Sequence, residues 1–252
     1  MITKNSTIYN FKDFTLKHYE EILSLLKKSH EFISFDALTN SSKNFVLNRH
    51  DVDFSVENAL QIAQIESKFE AKSTYFLLLH SEFYSFLEKK NLDLIKEIHR
   101  LGHDIGLHFD SRFYNIKNKQ DLENKIIFEK DILEFYLDIN IKSFSFHNPS
   151  KFDLKFIDFK YGGLVNTYAD FIQSKTEYCS DSNGYWRFDR MIDFIENNKY
   201  KSLQLLTHPV WWSNKIKSPK EKIDSNIDDR SKNNKQLQSE LLKLYKRENI
   251  DW

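Results

Sequence analysis

Short apolar runs alternate with amphipathic stretches between about residues 44 and 209 of the chain. Such alternation is typical of a parallel sheet wrapped by helices. The apolar runs predict seven strands: Phe45–Asp53, Ser73–His80, Asp104–His108, Lys142–His147, Gly163–Tyr168, Thr176–Ser180 and Leu203–His208. The amphipathic stretches predict helices between them: Val56–Phe69, Asn91–Leu101, Lys119–Leu137 and Phe188–Asn198. We therefore predict an α/β fold, a distorted seven-stranded (β/α) barrel.

Two further helical patterns flank this region. Lys17–Lys28 has apolar residues at helical spacing and predicts a helix packed outside the barrel, while Pro219–Lys246 is dense in charge with a leucine stripe and predicts a surface helix. With only five Gly and three Pro, the chain has little material for linkers. We expect one domain over residues 1–252, with its motif core at residues 45–212.

Charge and composition narrow the class of partner. Lys plus Arg (37) equals Asp plus Glu (37), so no strong field attracts nucleic acid or anionic lipid. The first residues lack a secretory pattern, and no run approaches ~20 apolar residues. Cys179 is the single cysteine, which fits a reducing compartment and excludes a cysteine-built zinc site. These features predict a cytoplasmic protein with no nucleic-acid partner and no membrane insertion.

Polar residues that can bind metal or move protons close the predicted strands. The C-terminal ends of parallel strands converge on one face of such a barrel, where the chemistry is placed. In the first strand, Arg49, Asp51 and Asp53 share one face while His50 takes the other. Two neighbouring carboxylates repel unless a cation compensates them. The pattern indicates a metal site with a base, or else a salt-bridged strand end.

Histidines end several later strands. His108, His147 and His208 are candidates for metal binding or proton transfer, although a lone histidine before a proline is commonly structural. His103 faces the opposite side of its strand from His108, so the two cannot share an ion. His80 is a weaker candidate because no chain-breaking residue follows it. Whether His80 contributes stays open at this point.

The ordered motifs resemble those of the polysaccharide deacetylase superfamily, also called carbohydrate esterase family 4 or the NodB-homology fold. The resemblance runs from about Phe45 to Trp212. It is carried in order by RHDVDFS, STYFLLL, GHDIGLHFD, SFHNP, SDSNGYWR and LLTHPVWW. The Arg-His-Asp-Val-Asp opening is similar to that of members from O-antigen or capsule gene clusters. The resemblance implies a metal-dependent deacetylase barrel.

The resemblance also implies a ligand set. The family's first motif supplies a base and a metal-binding aspartate, which match Asp51 and Asp53, and which of them does which job is open. The second motif's first ligand histidine matches His108, whereas its second falls on Arg112. The third motif has an arginine where His147 stands, so we expect His147 to be the third ligand.

Further residues follow from the same resemblance. The family's late histidine, which protonates the leaving group, matches His208. Asp181 and Trp186 fall where residues that tune this acid and line the substrate pocket are expected. Arg49 would hold Asp51 ionised. Trp211 offers an aromatic face for a sugar ring, and core packing is the alternative for the tryptophans.

Together these features predict a metal-dependent hydrolase that removes an N-acetyl or N-formyl group from an amino sugar of a surface-polysaccharide precursor, nucleotide-linked or lipid-linked. The cofactor expected is a divalent metal, with zinc the best match to histidine and carboxylate ligands. Two alternatives stay open: a catalytically silent barrel that binds a glycan precursor or a partner enzyme, and a metal-dependent sugar O-esterase or cyclic amidase. The oligomeric state is open.

Overall fold

The computed structural model describes residues 4–39 and 43–250. Its strands are β1 (Glu31–Phe32), β2 (Phe45–Val52), β3 (Ser73–Leu77), β4 (Asp104–Phe109), β5 (Ser143–Phe146), β6 (Lys160–Tyr161), β7 (Leu164–Asn166), β8 (Glu177–Ser180) and β9 (Leu203–Thr207). Its helices are α1 (Lys4–Ile8), α2 (Leu16–Leu26), α3 (Val56–Lys68), α4 (Lys89–Arg100), α5 (Ser111–Tyr114), α6 (Lys119–Leu137), α7 (Asp170–Gln173), α8 (Met191–Asn197) and α9 (Pro219–Leu244).

The seven predicted strands are consecutive parallel neighbours in one sheet, in the order β7-β5-β4-β3-β2-β9-β8. Two short strands were not predicted: β1 pairs in parallel with the start of β2, and β6 pairs antiparallel with β7. The third strand along the chain, β3, ends earlier than predicted, at Leu77. The backbone N–H of Leu78 donates to Tyr84 Oη at 3.0 Å instead of to a neighbouring strand.

The sheet curls into a partial barrel. Arg49 on β2 donates to Thr167 Oγ1 at 2.7 Å, and Gln204 on β9 donates to Thr167 O at 3.4 Å. Thr167 directly follows β7, which lies several strands away from β2 and β9 in the sheet order. These contacts require the two ends of the sheet to approach each other. No pairing of β7 with β8 is found in the described part of the chain, so the barrel is distorted, as predicted.

Strand alternation sorts the core into an inner and an outer layer. Phe45, Leu47, Phe76 and Val165 fill the closed end of the concave face. The opposite faces of the strands pack with the surrounding helices into a larger cluster that includes Val46, Leu205 and Ile22. On the concave face, apolar side chains therefore lie toward the N-terminal ends of the strands, and polar side chains lie toward the C-terminal ends.

Side-chain caps start several of the helices that surround the sheet. Ser55 Oγ accepts the N–H of Asn58 at 3.2 Å at the start of α3. Ser218 and Glu221 form a capping box at the start of α9. Lys222 buries its side chain there and donates to the carbonyls of Phe14 and Trp211, while most of α9 is exposed.

Among the described residues, no helix combines the length and the apolar character that crossing a bilayer requires.

Gly106 tests the packing of the concave face. A Cβ at this position would lie 2.5 Å from two ring carbons of Phe76, whose ring packs against Phe35 and below the Arg49 guanidinium. We expect Gly106→Ala to lower the free energy of unfolding by about 1–3 kcal/mol, measured by urea denaturation. Ser145→Ala on the neighbouring strand is the control, because its buried Oγ has no partner and its loss costs less. Equal losses in the two variants would contradict this account of the packing.

Candidate metal centre

Three side chains converge at the C-terminal mouth of the curled sheet: Asp53, His108 and His147. Asp53 lies one residue after β2, His108 lies in β4 and His147 lies one residue after β5. Ser81 Oγ donates to the carbonyl of Asp53 at 2.7 Å, and the backbone N–H of His147 donates to Phe109 O at 2.8 Å. Hydrogen bonds to or from the backbone thus hold the chain at both strand ends, independently of the contacts among the three side chains.

The facing atoms of these residues form a small triangle. Asp53 Oδ1 lies 3.2 Å from His108 Nε2 and 3.4 Å from His147 Nδ1, and the two nitrogens are 3.1 Å apart. Metal bonds of about 2.0–2.1 Å in a tetrahedral site place neighbouring ligand atoms roughly 3.3 Å apart. In addition, Asp53 Oδ1 is buried without a hydrogen-bond partner. The three residues fit a divalent ion.

The outer contact of His108 agrees with metal binding. Its Nδ1 lies 3.2 Å from the carbonyl of Ser145, which accepts its proton and leaves the lone pair on Nε2 facing Asp53. His147 presents Nδ1 inward, and its Nε2 lies 3.0 Å from Asn148 Nδ2. Metal binding through Nδ1 requires the Asn148 amide to turn its oxygen toward Nε2, so that this oxygen accepts the Nε2 proton. Asn148 has a φ of 43°, in the left-handed region that asparagine tolerates better than most residues. The chain therefore turns sharply where it orients His147.

The charged groups of the site shift one another's pKa values. Burial opposes ionisation of Asp53, yet the imidazoles of His108 and His147 hold the pKa of its carboxyl far below the usual range. Conversely, burial would lower the pKa of His108, but Asp51 and Asp53 together raise it. A cation is therefore favoured among these groups, whether a proton or a metal ion.

Asp51 lies beside this triangle with its own cationic partner. Arg49 Nη2 donates to Asp51 Oδ2 at 3.0 Å, and His108 Nε2 is 3.7 Å from the same oxygen. The Arg49 guanidinium is wholly buried and lies between the rings of Phe76 and Tyr168. Although burial disfavours its charge, Asp51 raises the pKa of Arg49. Arg49 thus keeps its charge and orients Asp51, whose Oδ1 is buried without a partner.

His208 closes the opposite side of the site. Asp181, which is fully buried, accepts from His208 Nδ1 at 2.6 Å and from the His208 backbone N–H at 2.8 Å. Trp212 Nε1 donates to the same carboxylate at 2.9 Å. Despite burial, Asp181 raises the pKa of His208 to about 9. The other nitrogen, Nε2, lies 3.9 Å from Asp53 Oδ2, so His208 borders the triangle without joining it.

The two predicted pocket tryptophans have protein partners. Trp186 Nε1 donates to Asp13 at 2.9 Å, and its ring stacks on Phe14 at 4.6 Å between centroids. Trp211 is 6% exposed and lies 5.8 Å from Phe54 between ring centroids. These contacts explain both indoles as packing residues, and contact with substrate stays a prediction.

His80 and Arg112 lie outside the triangle. His80 Nε2 is 2.9 Å from buried Glu129 on α6, and its ring stacks on Phe113. Arg112 donates through Nε and Nη2 to Asp110. The structure thus gives each of them a local partner instead of a place among the facing atoms.

Sequence reasoning missed Thr167 and Tyr168, which hold Arg49 from across the barrel, and Asn148 beside His147. A signal was present, because all three lie within one residue of predicted strand ends. It is a weak signal, because hydroxyl and amide side chains are common at strand ends without a functional role.

No protein-family model and no curated protein matches this chain. Several solved structures are similar to it in fold. A family 4 carbohydrate esterase from Bacillus anthracis has 16% identity and a TM-score of 0.45, covering 86% of each chain. The Streptococcus pyogenes deacetylase PplD, in complex with acetate, has 16% identity and a TM-score of 0.43, covering 83% of this chain and 85% of its own.

The B. anthracis protein BA3943, described as a family 4 pseudoenzyme, has 14% identity and a TM-score of 0.42, covering 81% of this chain and 68% of its own. At these identities the similarity concerns the fold. The solved structures that this chain is similar to thus include a deacetylase and a family 4 carbohydrate esterase.

Proposed function

We propose that the protein is a metal-dependent hydrolase that removes an N-acetyl or N-formyl group from an amino sugar of a surface-polysaccharide precursor. One observation carries this proposal: Asp53, His108 and His147 bring three ligand atoms together within 4.8 Å of one another, directly beside Asp51 and His208. A hydrolase of this type needs a cation site, a proton acceptor and a proton donor around one substrate position.

Zinc is the ion that we propose, since two imidazoles and one carboxylate are ligands it commonly takes. When bound, such an ion lowers the pKa of water and polarises a carbonyl oxygen. Asp53 is the proposed acidic ligand because its Oδ1 faces both imidazoles, whereas Asp51 Oδ2 is already held by Arg49.

Asp51 is the proposed proton acceptor. Its carboxylate lies at the edge of the triangle and is buried, and Arg49 holds it in one orientation. Its unpartnered Oδ1 is available to accept a proton from a nucleophilic water. The ion pair with Arg49 keeps this carboxylate in place beside the triangle.

His208 is the proposed proton donor to the departing nitrogen. Asp181 accepts from Nδ1 and thereby turns Nε2 toward the mouth of the barrel. Its raised pKa keeps the imidazole protonated at neutral pH, which a general acid requires. Breaking a C–N bond needs this proton, because an amine leaves poorly as an anion.

The amino-sugar substrate and the surface-polysaccharide context rest on the motif resemblance. A sugar O-ester uses the same cation and the same acceptor, so an esterase is an outcome of the test. A silent binding barrel is favoured by one observation, namely that Arg112 stands at a ligand position of the family motif and pairs with Asp110. Release of acetate or formate from a panel of N-acylated sugar nucleotides, with O-acetyl sugars alongside, distinguishes these functions.

Metal binding is the first expected outcome. We expect wild-type protein to bind one equivalent of Zn²⁺ in calorimetry, and His108→Ala and His147→Ala to weaken binding by roughly 100-fold or more, because each removes a direct ligand. His80→Ala is the matched control, since this histidine pairs with Glu129 outside the triangle. Loss of zinc in the control, or retention in both ligand variants, would overturn the ligand assignment.

Proton transfer is separable from metal binding. We expect Asp51→Asn and His208→Ala each to lower kcat for acyl release by roughly 10²–10⁴-fold while the bound zinc is retained. The measurement pairs a steady-state acetate or formate assay with metal analysis of the same samples. If either variant keeps wild-type turnover, its proposed role is wrong.

The pH profile tests the Asp181–His208 pair. His208 must be protonated to act, and Asp181 raises its pKa, so activity should fall as pH rises through the alkaline limb. Asp181→Asn removes the charge that raises this pKa and should move that limb of kcat/KM to lower pH. An alkaline limb that stays in place would show that another group sets it.

A further inference from the structure

A second polar cluster lies behind β2, on the face opposite to Asp51 and Asp53. Its centre is Glu66 of α3, which is fully buried. Side chains that lie 2.6–2.8 Å from its two oxygens come from α2, β2 and β3: Tyr19, Asn48, His50, Ser73 and Tyr75. His103 Nδ1 lies 3.7 Å from the same carboxylate.

These partners connect residues that lie side by side on neighbouring strands of the sheet. Asn48 on β2 is in register with Ser73 on β3, and His50 is in register with Tyr75 on β3 and with Thr207 on β9. His50 also connects the strands directly, because its Nδ1 lies 2.6 Å from Thr207 Oγ1. Glu66 thus contacts β2 and β3 directly and is linked to β9 through His50. These contacts lie directly before Asp51 on β2 and directly before His208, which follows β9.

The hydrophobic pattern of β2 does not by itself fix which of its faces turns inward. In its first half, apolar side chains on both faces pack into separate cores. From Asn48 to Asp51, however, both faces are polar, with Asn48 and His50 outside and Arg49 and Asp51 inside, before Val52 packs again into the outer core. A shift of one residue would exchange the two faces, and hydrophobicity specifies register weakly in strands that are polar on both sides.

A buried carboxylate has a cost that its surroundings must offset. Burial raises the pKa of Glu66, but His50 and the other donors lower it to about 2, so the group is charged in the folded protein. Such a satisfied network discriminates strongly between arrangements, because any shift that removes donors leaves a charge buried and unpaired. A shift of one residue would remove the Asn48 and His50 donors from Glu66 and would bring the Asp51 carboxylate to the same face, where it would repel Glu66.

We propose that Glu66 is a positioning residue for the metal centre: its contacts fix which face of β2 turns inward and so hold Asp53 in line with His108 and His147. This inference rests on the proposed metal site. Glu66 itself touches none of the three ligands, and it acts through the strand that carries the first of them.

The test compares Glu66→Gln with Glu129→Gln. Both residues are fully buried glutamates on outer helices that pair with a histidine, but Glu129 lies on α6 beside His80, away from β2. Both variants should lose unfolding free energy in urea denaturation. Only Glu66→Gln should weaken Co²⁺ binding in calorimetry, by about 10–100-fold, as expected for an outer contact that orients a ligand. It should also alter the Co²⁺ absorption spectrum, which reports ligand geometry.

Thr207→Val and Tyr75→Phe serve if Glu66→Gln does not fold. Each removes one hydroxyl from the cluster and retains its shape. Thr207→Val cuts the connection to β9, so we expect it to weaken Co²⁺ binding more than Ser145→Ala does. Unchanged affinity in all cluster variants that fold, or an equal loss in Glu129→Gln, would overturn the inference alone. A wild-type protein that binds neither Zn²⁺ nor Co²⁺ would instead refute the proposed function.

Discussion

Two carboxylates two residues apart on the concave face of one strand are the constraint on which this structure depends. Asp51 and Asp53 point to the same side of β2 and repel each other in a setting that excludes most water. The structure meets this with separate cations. Arg49 pairs with Asp51 from below, and the imidazoles of His108 and His147 surround Asp53. The two acids are thereby made chemically different by their neighbours.

His108 and His208 at the mouth are likewise distinguished by the group that contacts the ring nitrogen facing away from the site. His108 faces a backbone carbonyl, which fixes its tautomer without adding charge. His208 faces the buried Asp181 carboxylate, which favours a protonated ring. A neutral imidazole suits a metal ligand and a protonated one suits a donor. The outer contacts therefore separate the proposed ligand from the proposed acid, although both side chains lie at the same mouth of the sheet.

Much of the site could be predicted from the sequence. Strand alternation alone placed Arg49, Asp51 and Asp53 on one face and His50 on the other. The strand-end positions of His108 and His147 predicted that these histidines would lie at the same end of the sheet as Asp53. The Glu66 cluster could not be predicted from the sequence, because its members lie in widely separated segments that only the packing of α2 and α3 on the sheet brings together. The contact of Trp186 with Asp13 depends on the same long-range packing.

In the proposed ligand set, one donor of the resembled motif is exchanged for another. At the motif position of a second histidine the chain has Arg112, which pairs with Asp110. The third facing atom comes from His147 on the adjacent strand, since β4 and β5 are paired so that His108 lies opposite Ser145. His147 lies two residues beyond that partner, on the same face, and its nitrogen reaches within 3.1 Å of His108. A donor lost from one turn can therefore be replaced from the next strand end, because parallel strands deliver their last side chains to the same place.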